Sequence, residues 1–198
     1  MPEPTSESSK ERDRWNQKYR ESPGLWLQPD DFLEFAFNSF IRPRFPHGGT
    51  ALDLAGGAGR HSIWLAGHDW HVTLMDISEV GVNLARQNAG PLSTHIHFVV
   101  HDLTRFTAPQ TQVDLVMVFC YLDREIFPEI LKAIRPGGLL VYKTHTREQL
   151  RLPYGPKNIT HLLDPGELPR LAEPLQLLHY KEVVTDRATA ELVAAKMR

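Results

Sequence analysis

Gly56, Gly57 and Gly59 crowd together directly behind a strand-like run that ends at Asp53-Leu54. Residues without a Cβ take positive φ freely and let backbone approach a ligand, so such a turn between strand and helix suits a bound group. The helix expected from Arg60 would point free N–H groups and partial positive charge at the same spot, favouring an anionic group there. Asp53 leads into the turn. Asp76 closes the next run, Thr73-Leu74-Met75-Asp76, where a carboxylate can accept both hydroxyl protons of a ribose. Its other use is to cap the helix starting near Ser78. Asp102 stands at the matching place in Val100-His101-Asp102-Leu103, either as an acceptor for a bound group or as the start of a loop. The dinucleotide fingerprint fits poorly: with its first two glycines on Gly57 and Gly59, Ser62 stands where the third is expected.

Further along, Phe119, Cys120 and Tyr121 end a fourth apolar run, and His145 follows a fifth. His145 and Tyr121 are the candidate catalytic residues, His145 as a general base, with Lys143 and Tyr154 as possible substrate contacts. Cys120 reads as a small buried apolar residue rather than a nucleophile. His95 and His97 fall on one strand face, with His101 close behind, yet no carboxylate or cysteine spacing completes a metal site, so no metal is expected.

The elements that must position these groups follow from periodicity. Trp15 and Tyr19 lie four apart and share one face of a short helix. Phe32, Leu33, Phe35, Ala36, Phe37, Phe40 and Ile41 recur at helical spacing behind Asp30 or Asp31 as caps, and this helix is predicted to stop before Pro43. Strands are expected at 51–54, 71–75, 96–100, 113–119 and 139–143, with helices at 60–66, 80–88 and 125–134 between them. Such alternation implies a parallel sheet covered on both faces. The runs 175–184 and 190–195, joined by Thr185-Asp186-Arg187, read as a terminal antiparallel hairpin. Residues 149–163 are long for a connection and are expected to form part of an acceptor pocket or a lid.

The stretch Leu52-Asp53-Leu54-Ala55-Gly56-Gly57-Ala58-Gly59 resembles the first motif of class I S-adenosylmethionine-dependent methyltransferases, with Ala55 in place of the family's first glycine. Tyr121-Leu122-Asp123-Arg124, Arg135-Pro136-Gly137-Gly138 and the segment from Gly155 to Leu168 extend the resemblance to the TehB-like, tellurite-resistance-like subgroup of small-molecule enzymes. The resemblance implies a Rossmann-like, doubly wound α/β fold whose mostly parallel seven-stranded sheet ends in the hairpin. It also implies S-adenosylmethionine as cofactor, with S-adenosylhomocysteine as product. Asp53, Ala55, Gly56, Gly57, Gly59 and Arg60 would hold its amino-acid end, Asp76 its ribose and Asp102 its adenine amino group. Ile77 and Leu103 would wall the adenine, and Phe119 would line the methyl side. Trp15 and Tyr19, with Trp26, resemble the helix that closes over the cofactor in relatives. No Asn/Asp-Pro-Pro-Tyr/Phe motif is present, which argues against DNA-base or glutamine acceptors.

Composition bounds the rest. Of 198 residues, 22 are Lys or Arg and 24 Asp or Glu, a net charge of −2 that gives no footprint for nucleic acid or an anionic membrane. The partner expected is therefore a small-molecule acceptor. A single cysteine and a polar start without an apolar run fit a cytoplasmic protein. Residues 1–14 read as a frayed tail and 15–198 as one domain, with 15–46 a helical lid and 50–198 the core. Two other readings stay open: a catalytically silent S-adenosylmethionine-binding or regulatory protein, and a nicotinamide-dependent oxidoreductase.

Overall fold

The computed structural model describes residues 6–22 and 27–198. Its sheet is built from β1 (Thr50–Leu54), β2 (His71–Asp76), β3 (Ile96–Val100), β4 (Val113–Phe119), β5 (Ile134–His145), β6 (Gln176–Val184) and β7 (Ala188–Ala195). The seven strands lie in the order β3-β2-β1-β4-β5-β7-β6. Pairings from β3 across to β5 are parallel, and β7 runs antiparallel to both β5 and β6. Strand order reverses beside β1, so β1 and β4 open their C-terminal ends onto one crevice, the usual ligand site of such sheets.

The central strands are apolar throughout because both faces are covered. Along β4, Val116 and Val118 face one core with Leu140, Tyr142, Phe127 and Ile130, while Leu115, Met117 and Phe119 face the other with Val141, Phe32 and Leu33. The helices on these faces include α2 (Asp31–Ala36), α4 (Arg60–Ala66), α5 (Glu79–Ala89), α6 (Phe127–Ala133) and α7 (Glu167–Leu171), with α1 (Ser6–Glu21) and α3 (Arg42–Arg44) toward the N-terminus. Among the described residues no helix is long and apolar enough to cross a membrane.

Three boundaries differ from expectation. The frayed tail is helical from Ser6 onward, and α1 docks through polar groups that hydrophobic periodicity does not register. The Asn16 Oδ1 accepts from the Ser78 hydroxyl at 2.7 Å and from the Val80 N–H at 3.3 Å. Buried hydrogen bonds of this kind contribute about 1 kcal/mol each, enough to fix an otherwise polar helix. The second helix continues past Pro43: a π-helical turn (Phe37–Ile41) gives the Arg42 N–H to Phe37 O and leads into α3, whose first turn tolerates a residue lacking N–H. β5 begins at Ile134 rather than Leu139, because Ile134 pairs with Val113 before a register shift over the Pro136-Gly137-Gly138 corner.

Candidate active site

The glycine turn takes the conformation its composition requires. Gly57 and Gly59 have φ of 55° and 87°, and Ala55 adopts 59°. For an L-residue this left-handed conformation costs about 1 kcal/mol or more. Ala55→Gly is therefore expected to stabilise the fold by about 1 kcal/mol, read by denaturant unfolding; a loss of stability would show that the methyl is needed for packing.

Asp53 and Asp76 flank the turn, 1% and 6% exposed. The Ser62 hydroxyl donates to Asp53 Oδ2 at 2.7 Å. Ser62 thus stands where a third glycine fails to appear because it holds the lead-in carboxylate. Asp76 accepts from the Gly57 N–H at 2.9 Å and the Ser78 N–H at 2.8 Å, one on each oxygen, with the Ile77 backbone also favouring its charged form. Burial pushes both carboxyls up to about 6, with their mutual repulsion adding to Asp53 and Arg60 opposing it there. Gly57 N–H is already given to Asp76, and two desolvated carboxylates call for hydroxyl or cationic donors.

Those carboxyls make stability pH-dependent. A folded pKa above the unfolded value means the folded chain binds more protons between about pH 4 and 6, so stability falls as pH rises through that window. Asp53→Asn is expected to stabilise the ligand-free protein above pH 6 by about 2 kcal/mol, with the gain vanishing toward pH 4. Denaturation at several pH values reads this directly, and a gain independent of pH would contradict it.

Asp102 lies two residues beyond β3 and caps the 3-10 turn Leu103–Arg105. Its Oδ1 accepts from the Thr104 N–H and hydroxyl, and its Oδ2 is buried without a well-formed hydrogen bond, although the Ser8 hydroxyl of α1 lies beside the carboxylate. Ile77 is half-buried, whereas Leu103 is 4% exposed within the core, which leaves Ile77 as the available wall. Phe119 is likewise a core residue, its ring 4.0 Å from that of His61.

Tyr19 comes down onto the turn from α1. A Cβ on Gly57 would stand 2.1 Å from Tyr19 Oη, and one on Gly81 of α5 would stand 2.8 Å from its ring. Trp15 backs it at 6.0 Å, with the Lys18 ammonium 4.4 Å above the Trp15 ring. Trp26 lies outside the described residues. Arg60 acts electrostatically on Asp53, Tyr19 and Cys120, a position between the turn and the end of β4.

Beyond the ends of β4 and β5 lies a cleft of about 240 Å3 whose lining includes Asp30, Cys120, Lys143, His145, Arg187 and Glu191. Lys143 is bridged by Asp30 at 2.8 Å and Glu191 at 3.0 Å, so it organises the wall rather than standing free. Cys120, at φ 58°, is exposed to this cleft and not the buried apolar residue expected; desolvation nonetheless raises its thiol pKa against the opposing cations Arg60, Arg187 and Lys143, keeping it protonated. His145 is 8% exposed, and burial, then Arg187, hold it below the ordinary histidine range. Tyr121 sits apart from the cleft. Burial, then Asp123 and Asp102, hold its hydroxyl protonated, which suits a donor and not a base. Tyr154 is 82% exposed and does not line the cleft. Among the described residues no group of three or more His, Cys, Asp or Glu could hold a metal ion. Sequence reasoning missed Asn16, Gly81, Gln149, Arg187 and Glu191; the His145-x-x-x-Gln149 spacing was the one local signal available.

A family profile described as "Methyltransferase domain" matches residues 51–138, the stretch that carries the glycine turn, Asp76, Asp102 and the end of β4. Residues 51–138 are thus similar to a methyltransferase domain. A curated relative, "Putative methyltransferase YqeM" of Bacillus subtilis (strain 168), is 31% identical over 119 residues, which cover 56% of this chain and 48% of that protein. The alignment thus spans about half the length of the curated relative. Likeness of fold to solved structures extends over most of the chain. Magnesium protoporphyrin IX methyltransferase (ChlM) from Synechocystis PCC 6803, solved with bound S-adenosylhomocysteine, superposes with a TM-score of 0.75 at 15% identity, covering 96% of this chain and 100% of that one. TehB from Haemophilus influenzae gives 0.69 at 18% identity, over 92% and 67%. The Rossmann-like methyltransferase fold is common to both, so the likeness does not single out the TehB subgroup.

Proposed function

We propose that the chain is an enzyme that transfers the methyl group of S-adenosylmethionine to a small nucleophile held in the cleft beyond β4 and β5. The observation that carries this is the placement of carboxylates at the ends of β1, β2 and β3 around a glycine turn, next to a separate polar cleft. The residues suit the cofactor's chemistry. Asp53 and Asp76 are desolvated acceptors, and Asp102 Oδ2 is buried and poorly satisfied. YqeM's name and the ligand of ChlM support the same reading.

S-Adenosylmethionine, when bound, supplies a sulfonium methyl open to in-line displacement. The protein's residues then bind and position. Asp76 accepts from ribose hydroxyls, Asp53 and the turn, with Arg60, hold the amino-acid end, and Asp102 takes the adenine amino group with Ile77 beside it. Tyr19, backed by Trp15, closes α1 over the turn and excludes water. Orientation of this kind can supply about 7 to 11 kcal/mol, so no nucleophilic triad is required.

The cleft selects the acceptor. Its wall carries the carboxylates of Asp30, Asp186 and Glu191 against the cations of Lys143 and Arg187, a near-balance of charge that suits a small nucleophile. Where the acceptor carries a proton, His145, neutral through burial, is the base that takes it. The acceptor class is a thiol, an oxyanion, or another oxygen or nitrogen nucleophile, and the compartment that suits one unpaired cysteine is the cytoplasm. A screen of thiols, phenols, oxyanions and small amines, read as conversion of S-adenosylmethionine to S-adenosylhomocysteine, tests the reaction. Conversion with one acceptor class supports it, and binding of the cofactor without turnover across the panel would point to a regulatory binding protein.

A further inference from the structure

Two backbone groups of opposite character fix the side-chain amide of Gln149. Its Nε2 donates to the Tyr154 carbonyl at 2.6 Å, and its Oε1 accepts from the Ala188 N–H at 3.0 Å. A flipped amide would face donor with donor and acceptor with acceptor, so the assignment of O and N is determined. The side chain is fully buried. Gly155, at φ +90°, closes over it so tightly that a Cβ would stand 2.8 Å from Gln149 Nε2. Lys157 ties the same turn down by donating to the Gln149 carbonyl at 3.0 Å.

The Gln149 Oε1 also lies 3.2 Å from His145 Nδ1. An oxygen already required to be an acceptor demands that Nδ1 carry the ring proton. The lone pair of a neutral His145 is then on Nε2, in a ring that lines the cleft. We propose that Gln149 is a positioning residue that locks His145 in the Nδ1–H tautomer, presenting Nε2 as the base to an acceptor in the cleft. The inference rests on reading the cleft as the acceptor site.

The surroundings agree. Arg187 of the hairpin turn and Lys143 of β5 both disfavour the imidazolium, while Gln149 and the Ala188 backbone favour it. Asp186, Asp30, Glu191 and Cys120 face the same cleft, and Asp30 and Glu191 are engaged by Lys143. Burial outweighs the favourable contacts, so the ring stays neutral and its tautomer decides what it offers. The segment 149–163 therefore serves the site through one buried amide at its start, while Tyr154 points to solvent.

Long-range 1H–15N spectra of the full chain test this, with His145 picked out among ten histidines by its loss in His145→Asn. The wild type should show a protonated Nδ1 and an unprotonated Nε2. Gln149→Glu, which keeps an acceptor and adds charge, should raise the His145 titration midpoint by about 1 to 2 units. Gln149→Met should release the tautomer to a mixture. An Nε2–H tautomer in the wild type, or a midpoint unmoved in Gln149→Glu, overturns the proposal. S-Adenosylhomocysteine titration of the same samples separates the two readings. Binding with the wrong tautomer sinks the positioning role alone, whereas the right tautomer without binding sinks the methyl-transfer reading.

Discussion

Asp76→Ala is expected to weaken S-adenosylhomocysteine binding about 10- to 150-fold, the equivalent of losing charge-assisted hydrogen bonds of about 1.5 to 3 kcal/mol. Both oxygens of Asp76 already accept a backbone N–H, from Gly57 and from Ser78, so the carboxylate is aimed before any ligand arrives. Alanine also strands those two donors and loosens the turn. Asp76→Asn separates the effects, since its one oxygen can keep a single backbone bond while the charge is gone. Isothermal titration should rank wild type above Asn and Asn above Ala. Equal affinity in all three would remove Asp76 from the site.

The second large effect belongs to His145. His145→Gln keeps a polar side chain in the cleft but removes the base, and kcat/KM with an acceptor that must lose a proton should fall about 10²- to 10⁴-fold. Binding of S-adenosylhomocysteine should stay close to wild type, because the carboxylates that hold it belong to other strands. The pH profile carries a sign. A base whose pKa is depressed by burial and by Arg187 stays neutral at lower pH than a free histidine, so the acid limb of kcat/KM lies below pH 6.5, the ordinary histidine value. Activity is lost as pH falls through that depressed value. A limb above the free-histidine value, or a variant with unchanged kcat/KM, would assign the proton transfer elsewhere.

The sheet was legible because its strands are short apolar runs bounded by glycine, proline and aspartate, and the hairpin because only Thr185-Asp186-Arg187 separates two such runs. The turn and its carboxylates were legible for a related reason: their chemistry sits at strand ends, and strand ends can be read locally. What stayed hidden was long-range polar pairing. Lys143 meets Asp30 across 113 residues, and nothing in either neighbourhood announces the other. Ser62 looked like a missing glycine until its hydroxyl was seen on Asp53. The N-terminal helix looked like a tail because its anchors are Asn16 and Ser8, not an apolar stripe. Leu103 and Phe119 stand at strand ends as the motif requires, but their side chains turn into the cores.

Calorimetric titration of the intact chain with S-adenosylhomocysteine, and separately with NAD, tests the central claim most directly. Saturable binding of the first, with a thermal shift that grows with ligand concentration as mass action requires, and none of the second is the predicted result. Binding of NAD, or no binding of S-adenosylhomocysteine by a folded chain, would contradict the reading of the three carboxylates and the glycine turn.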